Sequence, residues 1–136
     1  MSAQSLPLKG SVEAVESYII NQPTMLVDTT GSGQATELGQ FTVTWRFTVN
    51  LDDGSGVGSA RFTAANGDIL DTTSLAHGGP TETPDVNRVV ETHTIAGGTG
   101  GFTGATGSFT LDRLANTKTG VTSGSFDGSI LLQKVK

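Results

Sequence analysis

The stretch VNRVVETHTIAGG, residues 86–98, sets a carboxylate, Glu91, two positions from an imidazole, His93. On an extended strand residues two apart share a face, so Val89, Glu91, His93 and Ile95 would point the same way. A carboxylate beside an imidazole orients the ring and can hold or move a proton, which makes Glu91 and His93 the candidate catalytic pair for general acid–base chemistry. The opposite facing satisfies the period equally well. It would leave the pair on an exposed polar surface and turn Arg88, Val90, Thr92 and Thr94 inward. Candidate ligand contacts are fewer and softer. Trp45, the sole tryptophan, shares the apolar face of its strand with Phe47, as core or as the wall of a binding site. Tyr18, the sole tyrosine, offers a phenol from the interior or from a rim. His77, beside Gly78-Gly79-Pro80, reads as a loop histidine on the surface.

Other chemistries find no support. The chain has no cysteine, which excludes disulfides, thiolate nucleophiles and zinc–thiolate sites. Its two histidines do not form a His-x-x-x-His pair, and LDDGSG lacks the spaced oxygens of a calcium loop, so no metal site is expected. No G-x-S-x-G elbow accompanies a serine nucleophile, and GSGVGS, residues 54–59, reads as a turn between strands.

The run GGTGGFTGATGSFT, residues 97–110, invites a phosphate-binding reading that its own residues refuse. A dinucleotide fingerprint needs glycines at its first, third and sixth positions, opening a helix. Counting from Gly98, the third is Gly100 but the sixth is Thr103, and the SFTLDRL that follows alternates as a strand does. A P-loop needs a lysine after its last glycine, and none lies between Lys9 and Lys118. The run reads instead as a reversal between strands, with Phe102 turned in as an apolar plug. No cofactor is implied.

The elements that must position these residues are strands. Within FTVTWRFTVNL, residues 41–51, Phe41, Val43, Trp45, Phe47, Val49 and Leu51 alternate with polar residues, the period of a half-buried strand. Asn66-Gly67, between GSARFTAA and ILDTTSLA, is a hairpin signal, because a type I′ turn needs positive φ at both central residues. Further strands are expected over 8–19, 25–36, 86–96, 107–114 and 121–133. SVEAVESYIIN, residues 11–21, also fits a short amphipathic helix. Gly31, Gly33, Gly124 and Gly128 interrupt strands where a sheet bulges or coils to close. HGGPTETPDVN, residues 77–87, holds two of the four prolines and reads as a surface excursion.

About eight antiparallel strands in 136 residues make one all-β domain, a closed barrel or a sandwich, with closure removing edges that few charges protect. A net charge of −5 gives no electrostatic footprint for nucleic acid or an anionic membrane. No apolar stretch reaches the length of a spanning helix, so membrane insertion is not expected. The opening MSAQSLPLKG has neither a basic nor an apolar signal region. The expectation for an exported protein is therefore a signal peptide removed and replaced by Met.

The glycine run, preceded by Thr94-Ile95-Ala96, resembles the GGTG-[RK]-F-x-GATG-x-F signature of a family of small, mostly exported bacterial β-proteins. These are similar to the allene oxide cyclase barrel superfamily, which includes plant dirigent proteins. GSGQATELGQFTVT, where the common form has ATHLG, and FTAANGD, residues 62–68, extend the resemblance over nearly the whole chain. It makes Gly97, Gly98, Gly100, Phe102, Gly104 and Gly107 structural signature positions. It implies a single calycin-like antiparallel barrel of eight strands. Two positions depart from the pattern: Glu37 stands where His is usual, and Gly101 where a basic residue is. Glu37 is carried as a candidate ligand contact at that position. Allene oxide cyclase-like barrels enclose a reactive hydrophobic substrate and need little more than one carboxylate or water. The resemblance thus implies a barrel that binds a small hydrophobic molecule, or a cofactor-free cyclase or isomerase with Glu91 and His93 as acid and base. A structural or adhesive module using the Thr/Ser-rich outer face is a third, weaker reading. Relatives form dimers or trimers through their outer faces, and Thr42, Thr44, Arg46 and Thr48 could supply such a surface.

Overall fold

The computed structural model describes the backbone of residues 2–134 and the side chains of residues 5–133. Eight strands run in sequence order: β1 Ser2–Asn21, β2 Thr24–Ala35, β3 Gly39–Asn50, β4 Ser55–Ala64, β5 Ile69–Pro80, β6 Val86–Gly98, β7 Thr106–Asn116 and β8 Val121–Lys134. Each pairs antiparallel with its neighbours, and β8 returns to β1 to close the barrel. Closure leaves no unpaired edge, which spares a chain with few charged side chains the usual edge protection. The all-β, eight-stranded antiparallel barrel expected from the sequence is the observed fold.

The strand period places one face of every strand inside. In β3, Phe41, Val43, Trp45 and Phe47 are buried while Thr42, Thr44, Arg46 and Thr48 are exposed. Residues 11–21 belong to β1 and not to a helix, because Val12, Ala14 and Glu16 alternate inward while β2 and β8 hydrogen-bond on either side. Of the two readings for the strand glycines, coiling holds. The β1–β2 and β7–β8 registers run unbroken past Gly31, Gly33, Gly124 and Gly128, and among the described residues the one irregularity falls in β5–β6, between Leu70 and Thr72. A Cβ on Gly33 or Gly124 would drive into the backbone of the neighbouring strand, so these glycines permit the close approach a small barrel needs.

Two loop expectations are corrected. The excursion over 77–87 shrinks to residues 81–85, because Gly78 and Gly79 pair with Val89 and Arg88 and extend β5 to Pro80. Pro80 closes the strand, where its missing donor costs little. The stretch GSGVGS is mostly strand β4, with only Gly54 in the turn at positive φ. Gly58 lies against the Phe47 ring, so the absence of a side chain there reflects packing.

The barrel has unlike ends. At the end carrying the turns 36–38, 65–68 and 99–105, the interior is filled by Phe41, Phe62, Phe109 and Phe126, whose rings meet edge-on or tilted at centroid distances of 5.0–6.1 Å. Leu38, Phe102 and Ala105 cap it from the turns. The glycine run forms this cap. Four of its signature glycines, Gly97, Gly100, Gly104 and Gly107, have φ between 55° and 133°. Gly98 sits so close to the Ile69 carbonyl that no side chain fits, and a single 3-10 turn over Gly100–Phe102 drops Phe102 inside at 4% exposure. The loop is pinned by Gly101 N–H donating to Asp68 Oδ2 (3.0 Å) and Ile69 N–H donating to Thr99 Oγ1 (3.0 Å).

Candidate functional site

Toward the opposite end, the inward side chains shrink. β4 contributes Gly56, β5 Ala76 and Gly78, β7 Ala115. These small residues leave a cavity of about 410 Å³, open between the turns at residues 51–54 and 81–85. Its walls are apolar (Met25, Val27, Phe47, Val49, Val89), its floor is Glu16, Tyr18 and Arg113, and Asp52 and Asp53 stand at the rim. Wider hollows on the outer strand faces are open grooves between rows of Thr and Ser.

The floor is the top of a polar layer that crosses the barrel from strand to strand. Arg113 on β7 is its centre. Its Nε donates to Glu91 Oε2 on β6 (2.7 Å), and its Nη1 donates to Thr122 Oγ1 on β8 (3.0 Å) and pairs with Glu16 Oε2 on β1 (3.0 Å). The guanidinium carbon lies 5.3 Å from the centroid of the Trp45 ring on β3, a cation–π arrangement. Glu16 also accepts from Tyr18 Oη (2.9 Å) and Thr29 Oγ1 (3.3 Å). On the far side of Glu91, Oε1 lies 2.8 Å from His93 Nε2, while His93 Nδ1 is 2.7 Å from Thr72 Oγ1. The His93 ring stacks on Phe109 at 4.7 Å and 7°, joining the polar layer to the aromatic half.

Within the polar layer, Glu91 and Tyr18 titrate away from their ordinary ranges. Burial pushes the Glu91 carboxyl up, but the His93 hydrogen bond and the adjacent Arg113 charge outweigh it, and the net shift is downward. Glu91 is therefore ionised, and His93 Nε2 carries the proton between them. The Tyr18 phenol is pushed well above its ordinary range, by burial first and then by the charge and hydrogen bond of Glu16. It stays protonated as a neutral donor to Glu16.

The sequence candidates are thus distributed unevenly. Glu91 and His93 face inward and touch each other, each fully buried at 0% exposure, yet neither lines the cavity. Tyr18 and Phe47 line it, and Trp45 lies in the polar layer without bordering it. Glu37 does not join them. It is exposed in the turn at the plugged end, at φ 65°, because a tight turn after β2 holds its backbone in the left-handed region. His77 and Arg46 are exposed, and Arg46 is paired with Asp28 (2.6 Å). Sequence reasoning missed Glu16 and Arg113, and the signal was present: each is a lone charge on an otherwise apolar face, after Val12 and Ala14 in β1 and after Phe109 and Leu111 in β7.

A closed eight-stranded barrel, plugged at one end and open over a polar floor at the other, defines the class of protein. Its fold is the dirigent-like barrel. The structure of the pterocarpan synthase dirigent protein GePTS1 superposes with a TM-score of 0.69, covering 100% of this chain and 89% of that one at 14% sequence identity. Neither a protein-family model nor a curated protein sequence matches the chain.

Proposed function

We propose that this barrel binds a small, mainly apolar molecule in its open-end cavity. The observation that carries the reading is the cavity itself: about 410 Å³, apolar on its walls, with hydrogen-bonding groups gathered at one point on its floor. Small-molecule sites have this size and this division between apolar lining and a few placed polar groups. The layer beneath supports it, since Glu91, Thr122 and Trp45 hold Arg113 in one pose before any ligand arrives.

A second reading, a cofactor-free cyclase or isomerase acting by enclosure, draws on the same cavity and on the synthase named for the superposed barrel. In that reading Glu16, Tyr18 and Arg113 touch substrate, while Glu91 and His93 act through Arg113 as positioning residues. Turnover of a bound compound would separate it from simple binding.

The test is an NMR titration with a library of neutral aromatic and alicyclic fragments. Saturable shifts should cluster on the amides of Ala76, Val89 and Ala115, and Ala76→Phe, which places a ring in the cavity, should abolish them in a folded barrel. Saturable binding confined to the outer face, or undiminished in Ala76→Phe, overturns the proposal.

A further inference from the structure

The cavity floor has a charge balance that selects among ligands. Its one cation, Arg113, is held between two carboxylates, Glu16 and Glu91. With a neutral His93 the buried set carries a net charge of about −1, and a second proton on His93 would bring it only to zero. The other ionisable side chains lining the cavity, Asp52 and Asp53 at the rim, add negative charge. A ligand carboxylate entering here would meet no uncompensated cation and would give up its hydration for a site already negative.

The hydrogen-bonding inventory points the same way. Both Glu16 oxygens are engaged, Oε1 by Tyr18 and Oε2 by Thr29 and Arg113. Arg113 uses Nε for Glu91 and Nη1 for Glu16 and Thr122. Nη2 makes none of these bonds. It is also absent from the buried, unpartnered polar atoms, which among the described residues are Trp45 Nε1 and Ser74 Oγ. Its N–H groups are the donors that Arg113, which lines the cavity, leaves for a ligand.

Resting on the reading that the cavity is a ligand site, we infer that its ligand is uncharged and presents a single oxygen acceptor, a carbonyl, ether or hydroxyl oxygen, to Arg113 Nη2. The apolar remainder of the molecule lies against Phe47 and Val49, and acids of the same shape are excluded. A charged donor to a neutral acceptor is a strong hydrogen bond in a site with little water, and it leaves the floor's charge balance unchanged.

The experiment compares three molecules of one shape on the wild-type protein by NMR titration: 2-acetylnaphthalene, its hydrocarbon isostere 2-isopropenylnaphthalene, and 2-naphthoate. The ketone should bind about tenfold more tightly than the hydrocarbon, the difference of one charge-assisted hydrogen bond. It should also bind about tenfold or more tightly than the carboxylate. A carboxylate that binds as well as the ketone, or a hydrocarbon that equals it, overturns the inference while leaving the cavity a ligand site. If none of the three produces saturable shifts at the cavity amides, the binding reading falls and the inference with it.

Discussion

Glu91 is the most completely buried carboxylate among the described residues, held between His93 and Arg113, and that setting fixes how it responds to pH. Its native carboxyl is held below its ordinary value by His93 and Arg113 against the opposing effect of burial. A depressed native pKa means that folding favours the ionised form. The resulting stability is fully present above the ordinary carboxylate range and is lost as the pH falls through the depressed native value. Glu91→Gln removes that response. The variant should be less stable than the wild type by about 2–3 kcal/mol near neutral pH, since Arg113 loses its charged partner at Nε. The difference should shrink as the pH falls below the ordinary carboxylate range, where the unfolded wild-type chain takes up a proton that the native carboxyl resists. Urea unfolding of both proteins between pH 3 and 7 measures this. A difference that stays constant with pH would show that Glu91 is not the titrating partner of Arg113.

Among the elements, the loop joining β6 to β7 has the most specific job, since it closes one end and leaves the other to the ligand. Phe102 is held inside by a 3-10 turn that the surrounding glycines allow, and it completes the cap over the aromatic half. Phe102→Ala should cost about 3–5 kcal/mol, the usual range for emptying a buried phenylalanine site, measured as a fall in Tm. Fragment binding at the far cavity should persist at temperatures where the variant is folded. Loss of binding in a folded variant would mean that the two ends are coupled. Much of this element was legible in the sequence, because Phe102 stands alone among residues too small to fill a barrel end. The period of two in β3 was legible as well, since Trp45 and Phe47 sit on a strict alternation. The facing of β6 was not, because Glu91 and His93 inside and Val90 outside reverse the usual sorting of polar and apolar residues. Only the partners on β7 and β1 decide it: Arg113 and Glu16 make an inward Glu91 affordable, and strands so far apart in sequence show their contact only in the folded barrel. The early end set for β5 failed for a related reason, since Gly78 and Gly79 look like loop until β6 pairs with them.

The whole molecule presents an outer surface as uneven as its interior. Around the plugged half the outward positions are mostly Thr and Ser, whereas the exposed large apolar side chains gather toward the open end: Val15, Ile19, Val57, Leu75, Leu114 and Val121, each more than half exposed. Several oppose one another across strands, Val57 with Leu75 and Val15 with Val121, so they form contiguous apolar surface. Arg46, by contrast, is already paired with Asp28, and its strand carries threonines on either side, which weakens β3 as an interface. We propose a homo-oligomer that buries part of the apolar belt, with a second copy as the partner because self-association covers equivalent patches on both subunits at once. A solution mass two or three times that of the monomer is the expected result at about 100 μM protein. Leu75→Lys, which places a charge in the most exposed part of the belt, should shift the protein toward monomer with little change in unfolding temperature at low concentration, since the side chain makes no use of the barrel interior. A wild-type protein that remains monomeric at that concentration rules out self-association as the use of the belt. If the mass is that of an oligomer but Leu75→Lys leaves it unchanged, the contact lies elsewhere on the surface, and the Val15–Val121 side of the barrel is the next to be charged.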